Sequence, residues 1–313
     1  MKYSFVLPAY KANFLKIAID SILSQTYTDF ELIIVNDASP QNLDSIVGKY
    51  KDERIRYYTN EKNIGGDDLV KQWNKCILYA KGDYLILASD DDVYHHRYLE
   101  KMNVLVNKYP DINVFRPRIQ IIDRYGNPTK TEAFTREKTS LHEFMYLHGK
   151  HIMSGVPYYI LKRQSLLEMG GFINFPMAWG SDDATVMTLM KENGMITTEE
   201  ILFSFRMSEE NITSKRNNSQ SLSKKIKARF DFYEWRKKFL GSSPPKNELD
   251  SLYLKWIEQN KFQQLKQGLY ELMCDSTLFA CFSCIRQIIN NPVCNLKWII
   301  SCYVKRVFQT LFY

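Results

Sequence analysis

The sequence YLILASDDD spans residues 84–92 and joins a short apolar run to three consecutive carboxylates. The apolar run predicts a buried β-strand that ends where the acids begin. Just before it, residues 67–80 have helical spacing and end at Lys81 and Gly82, an order typical of a helix C-terminus. The stretch is therefore a helix–strand unit with polar residues at the carboxyl end of its strand.

The same alternation of helix and strand continues toward the N-terminus. Apolar runs predict strands at residues 4–7, 30–35 and 55–59, and helical spacing predicts helices at residues 13–25 and 42–50. Alternating elements of this length predict an α/β fold that is Rossmann-like, with a mostly parallel central sheet and helices on both faces. Further along the chain, apolar runs predict strands at residues 112–115 and 119–122.

Three of the predicted strands end in residues suited to binding. They are followed by Pro8, Ala9 and Tyr10, by Asn36 and Asp37, and by Asp90, Asp91 and Asp92. Open α/β sheets bind ligands at the carboxyl ends of their strands. We therefore expect these three groups to converge on one crevice.

The acidic triplet itself suggests a metal site. Adjacent carboxylates repel one another unless a cation neutralises them. Oxygen ligands suit Mg²⁺ or Mn²⁺, ions that also hold substrate phosphates. An acidic turn, or the N-cap of a helix over residues 93–108, is the alternative that the residues alone leave open.

A second acidic pair, Asp182 and Asp183, follows Trp179 and precedes a predicted helix over residues 182–193. The dipole at a helix N-terminus favours ionised carboxylates. An ionised acid in a cleft can act as a general base. A plain N-cap pair explains the same residues.

The last third of the chain differs in structure and charge. Strand signals fade, and helices are predicted at residues 220–240, 247–274, 277–290 and 294–312, so we predict two domains, 1–215 and 216–313. Residues 214–246 contain ten Lys or Arg against two acids. The basic, amphipathic segment 294–312 is expected either to lie on an anionic membrane or to dock on the protein body.

Composition narrows the class of protein. The 313 residues are 45% hydrophobic and 25% charged, with a net charge of +7, values typical of a soluble globular protein. We see no signal-peptide pattern and no apolar run of membrane-spanning length. These features favour a cytoplasmic location, with peripheral attachment to the inner face of the membrane as an option.

Cys281 and Cys284 form a C-x-x-C pair, which is either two buried thiols or half of a zinc site.

Taken together, these segments resemble the family 2 glycosyltransferases, which have the GT-A fold. The resemblance covers about residues 1–210. It rests on the order of residues 4–10, 21–39, 63–65 and 80–84, the acidic triplet, Gly170-Gly171-Phe172, and Asp182-Asp183.

The resemblance implies a role for each matched residue. The nucleotide pocket would be lined by Pro8, Ala9, Tyr10, Asp37, Asn63 and Gly65, with Asp37 on the base. Asp91 matches the metal-binding acid, flanked by Asp90 and Asp92. Asp183 matches the base that deprotonates the acceptor, and Trp179 and Asp182 would contact the acceptor or support that base.

The chain departs from the family pattern at several positions. Asn36 and Ala38 stand where many members have Asp and Gly, and Ser89 stands where many have the first acid of the D-x-D motif. Met207 stands where some members supply a histidine ligand. The metal would therefore shift toward Asp90, and a third protein ligand is in question.

The implied reaction is an inverting, metal-dependent sugar transfer using Mn²⁺ or Mg²⁺. UDP is the default nucleotide. The acceptor would be a glycan or a lipid-linked molecule of cell-surface polysaccharide synthesis, and no nucleic acid partner is expected.

Two other classes of protein are the alternatives. A sugar nucleotidyltransferase should carry a Gly-rich loop after its first strand, but residues 9–13 contain no glycine. A non-catalytic scaffold of a polysaccharide assembly complex is the other alternative.

Overall fold

The computed structural model describes residues 1–148, 151–211 and 216–289, together with Ser301 and Val304. The chain divides into two compact units. The first contains Met1–Asn174 and Ser181–Ser208; the second contains Phe175–Gly180 and the chain from Glu209 onward. The predicted boundary at residue 215 stays a prediction, since residues 212–215 lie outside the described part of the chain.

The first unit begins with the predicted alternation of strands and helices. Its strands are β1 (Tyr3–Ala9), β2 (Phe30–Asn36), β3 (Ile55–Thr59), β4 (Tyr84–Leu87), β5 (Val93–Tyr94), β6 (Val114–Ile122), β7 (Pro128–Thr131), β8 (Lys138–Thr139), β9 (Ile160–Lys162) and β10 (Met195–Arg206). Its helices are α1 (Leu15–Leu23), α2 (Asp44–Val47), α3 (Leu69–Cys76), α4 (Tyr98–Lys108), α5 (Leu141–Leu147), α6 (Arg163–Glu168) and α7 (Ser181–Met190).

All ten strands join one mixed sheet. Its order is β3-β2-β1-β4-β9-β6-β10-β5, with β7 paired to β6 and β8 to β10. Strands β1 to β4 are mutually parallel where they pair, and β10 is parallel to β6, whereas β9 runs antiparallel to both of its neighbours. The parallel half follows from near-continuous apolar runs, because β2 and β4 are buried along their whole length.

Three predicted elements have different bounds in the structure. The predicted helix over residues 93–108 is wrong in its first part: residues 93–94 form β5, and α4 begins only at Tyr98. The acidic triplet is therefore not the N-cap of a helix. Predicted strands at residues 112–115 and 119–122 are one strand, β6, which continues through Pro117. Because proline has no N–H to donate, the ladder with β10 shifts register at this point.

The second unit is helical where it is described. Helices α8 (Ser219–Gly241), α9 (Glu248–Cys274) and α10 (Leu278–Ile289) match three predicted segments. Their shared core buries Cys281 and Cys284, whose thiols donate to the carbonyls of Met273 and Ser219. Apart from Ser301 and Val304, the predicted helix over residues 294–312 lies outside the described residues. Within the described part of the chain, no helix is both long enough and apolar enough to span a membrane.

Candidate active site

The ends of β1 and β4 meet at the acidic triplet. The two strands are parallel neighbours, with Val6 opposite Leu87, so the loops that follow them leave the sheet side by side. The backbone N–H groups of Tyr10 and Lys11 both donate to Oδ2 of Asp90, at 2.9 and 2.8 Å. Two of the three strand ends that were expected to converge are thus joined by direct hydrogen bonds.

The third strand end, that of β2, is connected to the same edge of the sheet. The N–H of Asp37 donates to the carbonyl of Ala9 at 3.0 Å, and the hydroxyl of Ser39 donates to the carbonyl of Tyr10 at 2.6 Å. The three groups of residues therefore lie along one continuous edge, as the sequence pattern predicted.

A lysine lies among the carboxylates of the triplet. The ammonium nitrogen of Lys11 is 3.1 Å from Oδ1 of Asp90 and also contacts Oδ2 of Asp91. The hydroxyl of Ser89 donates to the other oxygen of Asp91. Burial disfavours the charge on Lys11, but the two carboxylates outweigh this effect and raise its pKa. Sequence reasoning missed Lys11, although its position directly after Tyr10 at a strand end was a usable signal.

Asp92 is the most buried acid of the three. Its Oδ1 accepts the N–H of Arg206 at 2.8 Å, and the guanidinium of Arg206 donates to the carbonyl of Asp91. Its Oδ2 is buried and has no hydrogen-bond partner among the described residues. Burial, followed by the charge of Asp91, raises the pKa of Asp92 well above its usual range.

The triplet has the chemistry that a divalent ion requires. Its carboxylate oxygens are hard ligands of the kind that Mg²⁺ and Mn²⁺ prefer, and the buried Oδ2 of Asp92 is an acceptor in need of a cation or a proton. Across the described residues, however, no three His, Cys, Asp or Glu side chains are grouped to hold a metal. The metal role of each of Asp90, Asp91 and Asp92 therefore stays a prediction.

Asp37 anchors the turn that contains Asn63 and Gly65. Its Oδ1 accepts from the side-chain amide of Asn60 at 2.7 Å and from the N–H of Ile64 at 2.9 Å. Its Oδ2 accepts the N–H of Gly65 at 2.7 Å. A Cβ atom at Gly65 would lie 3.0 Å from that same oxygen, which explains the glycine.

The carboxylate of Asp37 thus fixes the turn beside the expected nucleotide pocket. Only 4% of its surface is exposed, and three donors already use its two oxygens. Direct contact of Asp37 with a nucleobase stays a prediction; the observed hydrogen bonds assign it a role in shaping the loop.

Asp182 and Asp183 lie in the first turn of α7, as predicted. Oδ1 of Asp183 is 3.0 Å from Nε2 of His148, a partner that sequence reasoning missed because it is 35 positions away, in a loop without a motif. Burial, followed by the charge of Asp183, raises the pKa of Asp182 to about 7. The two neighbouring acids therefore have different surroundings, as in sites where two carboxylates take different roles.

Besides burial, the pKa of Tyr158 is affected by one acid of the triplet and by one acid of the second pair. Its hydroxyl is buried, and burial raises its pKa well above the usual value; the charges of Asp92 and Asp182 raise it further. One side chain is thus within electrostatic range of an acid from each group.

Trp179 belongs to the second unit, whereas Asp182 and Asp183 belong to the first. Within its own unit, the indole ring lies 4.3 Å from the ammonium of Lys225 and 5.8 Å from the guanidinium carbon of Arg229. These distances are typical of cation–π contacts. A contact of Trp179 with an acceptor stays a prediction.

Solved structures define the class of fold. The chain is similar to Staphylococcus aureus TarS 1–349 in complex with UDP-GlcNAc, with a TM-score of 0.59 and 15% identity over 98% of this chain and 89% of that one. It is also similar to the mannosyltransferase PcManGT of Pyrobaculum calidifontis in complex with GDP-Man and Mn²⁺, with a TM-score of 0.57 and 14% identity over 99% and 87% of the two chains. The fold is the GT-A fold.

Sequence comparison then identifies the family. The profile described as Glycosyl transferase family 2 matches residues 4–170, more than half of the chain, so the protein belongs to glycosyl transferase family 2. An uncharacterised glycosyltransferase of Rickettsia typhi is 31% identical over 152 residues, which are 47% of this chain and 46% of the relative. One from Methanocaldococcus jannaschii is 31% identical over 161 residues, 50% and 53% of the two chains. The chain thus matches about half the length of these relatives.

Proposed function

We propose that this protein transfers a sugar from a nucleoside-diphosphate sugar to a hydroxyl group, with inversion at the anomeric carbon. The observation that carries the proposal is the meeting of two strand ends at buried carboxylates, on the edge where α/β sheets bind ligands. The structural neighbours in complex with UDP-GlcNAc and with GDP-Man support this donor class. We propose UDP as the nucleotide and a hexose or N-acetylhexosamine as the sugar.

The donor would lie along the edge formed by the ends of β1 and β2. We assign the nucleotide pocket to Pro8, Ala9, Tyr10, Asp37, Asn63 and Gly65. The ring of Tyr10 supports this assignment, since 42% of its surface is exposed and an aromatic face can stack on a base. Asp37 would keep the turn at residues 63–65 in the shape that receives the nucleotide.

The triplet would hold Mn²⁺ or Mg²⁺ through Asp91 together with Asp90 or Asp92, and a structural neighbour in complex with Mn²⁺ supports this choice. When bound, such an ion stabilises negative charge on a diphosphate leaving group. The chain itself orients the carboxylates. Two N–H groups fix Asp90, and the N–H of Arg206 fixes Asp92.

Asp183 is proposed as the general base. It would accept the acceptor's hydroxyl proton while the acceptor oxygen bonds to the anomeric carbon and the bond from that carbon to the diphosphate breaks. Its place in the first turn of α7 favours the ionised form, and the imidazole of His148 lies 3.0 Å from Oδ1 of its carboxylate. We propose that Asp182 and Trp179 act near the acceptor.

The acceptor is proposed to be a glycan or a lipid-linked molecule of cell-surface polysaccharide synthesis, reached at the inner face of the membrane. Ten basic residues against two acids in residues 214–246 support an anionic partner surface. The sequence suggests the same role for the segment 294–312, of which the structure describes Ser301 and Val304.

The proposal is tested by following nucleoside diphosphate release from UDP-glucose, UDP-GlcNAc and GDP-mannose with Mn²⁺ and candidate acceptors. Asp183→Asn should lower turnover by about 10²-fold or more, the usual contribution of a general base. Asp20→Asn is the control, because Asp20 is an exposed acid paired with Lys16 away from the site. Near-normal turnover in Asp183→Asn would refute the assignment, and no release from any donor would favour the scaffold alternative.

A further inference from the structure

Lys11 binds the triplet through both its backbone and its side chain. Its N–H donates to Oδ2 of Asp90, while its ammonium is 3.1 Å from Oδ1 of the same residue and contacts Oδ2 of Asp91. The lysine side chain retains 26% exposure, whereas those of Asp90 and Asp91 retain 6% and 2%. The partly exposed side chain of Lys11 is thus held by two carboxylates that are almost fully buried.

The other basic side chain at this site acts on the backbone. Arg206 donates to the carbonyls of Asp91 and Asp123, and its N–H donates to Asp92. Lys11 pairs directly with both carboxylates of the Asp90–Asp91 pair. Two buried carboxylates side by side require such a partner, since an unpaired buried charge is strongly disfavoured.

We infer that the ammonium of Lys11 competes with a divalent ion for the carboxylates of Asp90 and Asp91. The two cations need the same oxygens, and a +1 and a +2 charge a few ångströms apart in a buried site repel strongly. Entry of the ion therefore requires the ammonium to leave, a movement that the partly exposed side chain of Lys11 can make. This inference rests on the proposed use of the triplet as a metal site.

The competition has a consequence for the order of binding. An ion that must displace Lys11 binds the protein alone weakly. The negative charge of a nucleoside diphosphate offsets both the ion and the displaced ammonium, so nucleotide and metal should strengthen each other's binding, and by the same factor. Lys11 thereby couples metal binding to donor binding.

Mn²⁺ titrations of the full chain test this, with free Mn²⁺ followed by electron paramagnetic resonance in the presence and absence of UDP. Without UDP, Lys11→Met should bind Mn²⁺ at least about tenfold more tightly than the wild type, equivalent to about 1.4 kcal/mol. The factor by which UDP tightens Mn²⁺ binding should shrink in the same variant. Lys11→Arg keeps the charge and should retain weak binding.

Lys16→Met is the matched control, since Lys16 pairs with an exposed acid on α1 and should leave Mn²⁺ affinity unchanged. Lys11→Gln serves as a second neutral variant if Lys11→Met does not fold. In either neutral variant, Mn²⁺ should raise the melting temperature more than it does in the wild type. Equal, weaker or undetectable Mn²⁺ binding by the neutral variants overturns the inference. Sugar transfer is measured separately, so a protein that binds Mn²⁺ as inferred but releases no nucleoside diphosphate would contradict only the proposed function.

Discussion

Replacing Asp37 with asparagine tests whether this carboxylate is the anchor of the turn at residues 63–65. Asparagine has the same shape but only one acceptor oxygen. If that oxygen keeps Asn60 and Ile64, the new amide group faces the N–H of Gly65, whose nitrogen is 2.7 Å from the present Oδ2. Two donors then oppose each other, and the Gly65 N–H loses its acceptor.

The expected cost follows from these contacts. A hydrogen bond to a charged group contributes about 1.5–3 kcal/mol, and a buried donor left without a partner costs about 1–3 kcal/mol. Because the turn can relax in part, we expect Asp37→Asn to lower the free energy of unfolding by about 2–4 kcal/mol, against a typical total of about 5–15 kcal/mol.

Two measurements on the full chain check this prediction. Urea denaturation should show a lower midpoint, and hydrogen exchange should show faster exchange at the amides of Ile64 and Gly65. Asp123→Asn is the control. Asp123 also accepts backbone N–H groups, from Tyr125 and Asn127, but in an exposed turn where water can replace them, so Asp123→Asn should lower the urea midpoint clearly less than Asp37→Asn does.

The two readouts can refute the reasoning separately. Unchanged exchange at Gly65 in Asp37→Asn would mean that the carboxylate does not hold the turn. A loss of stability no larger than that of the Asp123 control would mean that burial adds nothing to the value of these hydrogen bonds.

Three further variants probe other parts of the first unit. Gly171→Ala should destabilise the protein by about 2 kcal/mol or more in urea denaturation, because Gly171 has φ +89° and a Cβ would lie 2.5 Å from Oδ1 of Asn74; equal midpoints would contradict this. Arg116→Met removes one partner of a buried ion pair with Glu132 and should cost about 3–5 kcal/mol by the same assay. Asp182→Asn should gain stability over the wild type as pH rises from 5 to 8. The raised pKa of Asp182 means that the folded state still holds a proton that the unfolded state has released. The stability of the wild type therefore falls as the pH rises through about 7. A constant difference in melting temperature between the variant and the wild type from pH 5 to pH 8 would refute this prediction.

The centre of the parallel half of the sheet was predictable from sequence because β2 and β4 are buried along their whole length and read as near-continuous apolar runs. The short strands were not. Residues 93–94 form β5 by pairing with Ser204 and Phe203, far along the chain, and nothing local distinguishes them from the start of α4. The apolar runs at residues 112–115 and 119–122 predicted two strands, yet the pairs made by β6 with β9 and β10 form a single strand that continues through Pro117.

The acids of the site were predictable for a related reason: strand ends in a parallel sheet share an edge, and charged residues there are visible in the sequence. Their partners were harder to find. His148 reaches Asp183 from a loop that follows α5, and only tertiary structure brings them together. Arg206 comes from the end of β10, where the sequence had suggested a missing histidine ligand rather than a residue that orients Asp91 and Asp92.

Charge balance connects these partners to function. Three adjacent acids at the end of β4 would carry three negative charges in a place with almost no solvent, and the protein offsets them unequally. Lys11 offsets part of the negative charge of the Asp90–Asp91 pair, and burial raises the pKa of Asp92. Because Lys11 already contacts two of the acids, a divalent ion gains less from them alone than when it arrives with an anionic diphosphate. On this argument, the sequence predicts where a cation would act, and the side chain that we propose to moderate its binding is found only when the end of β1 is placed against the end of β4.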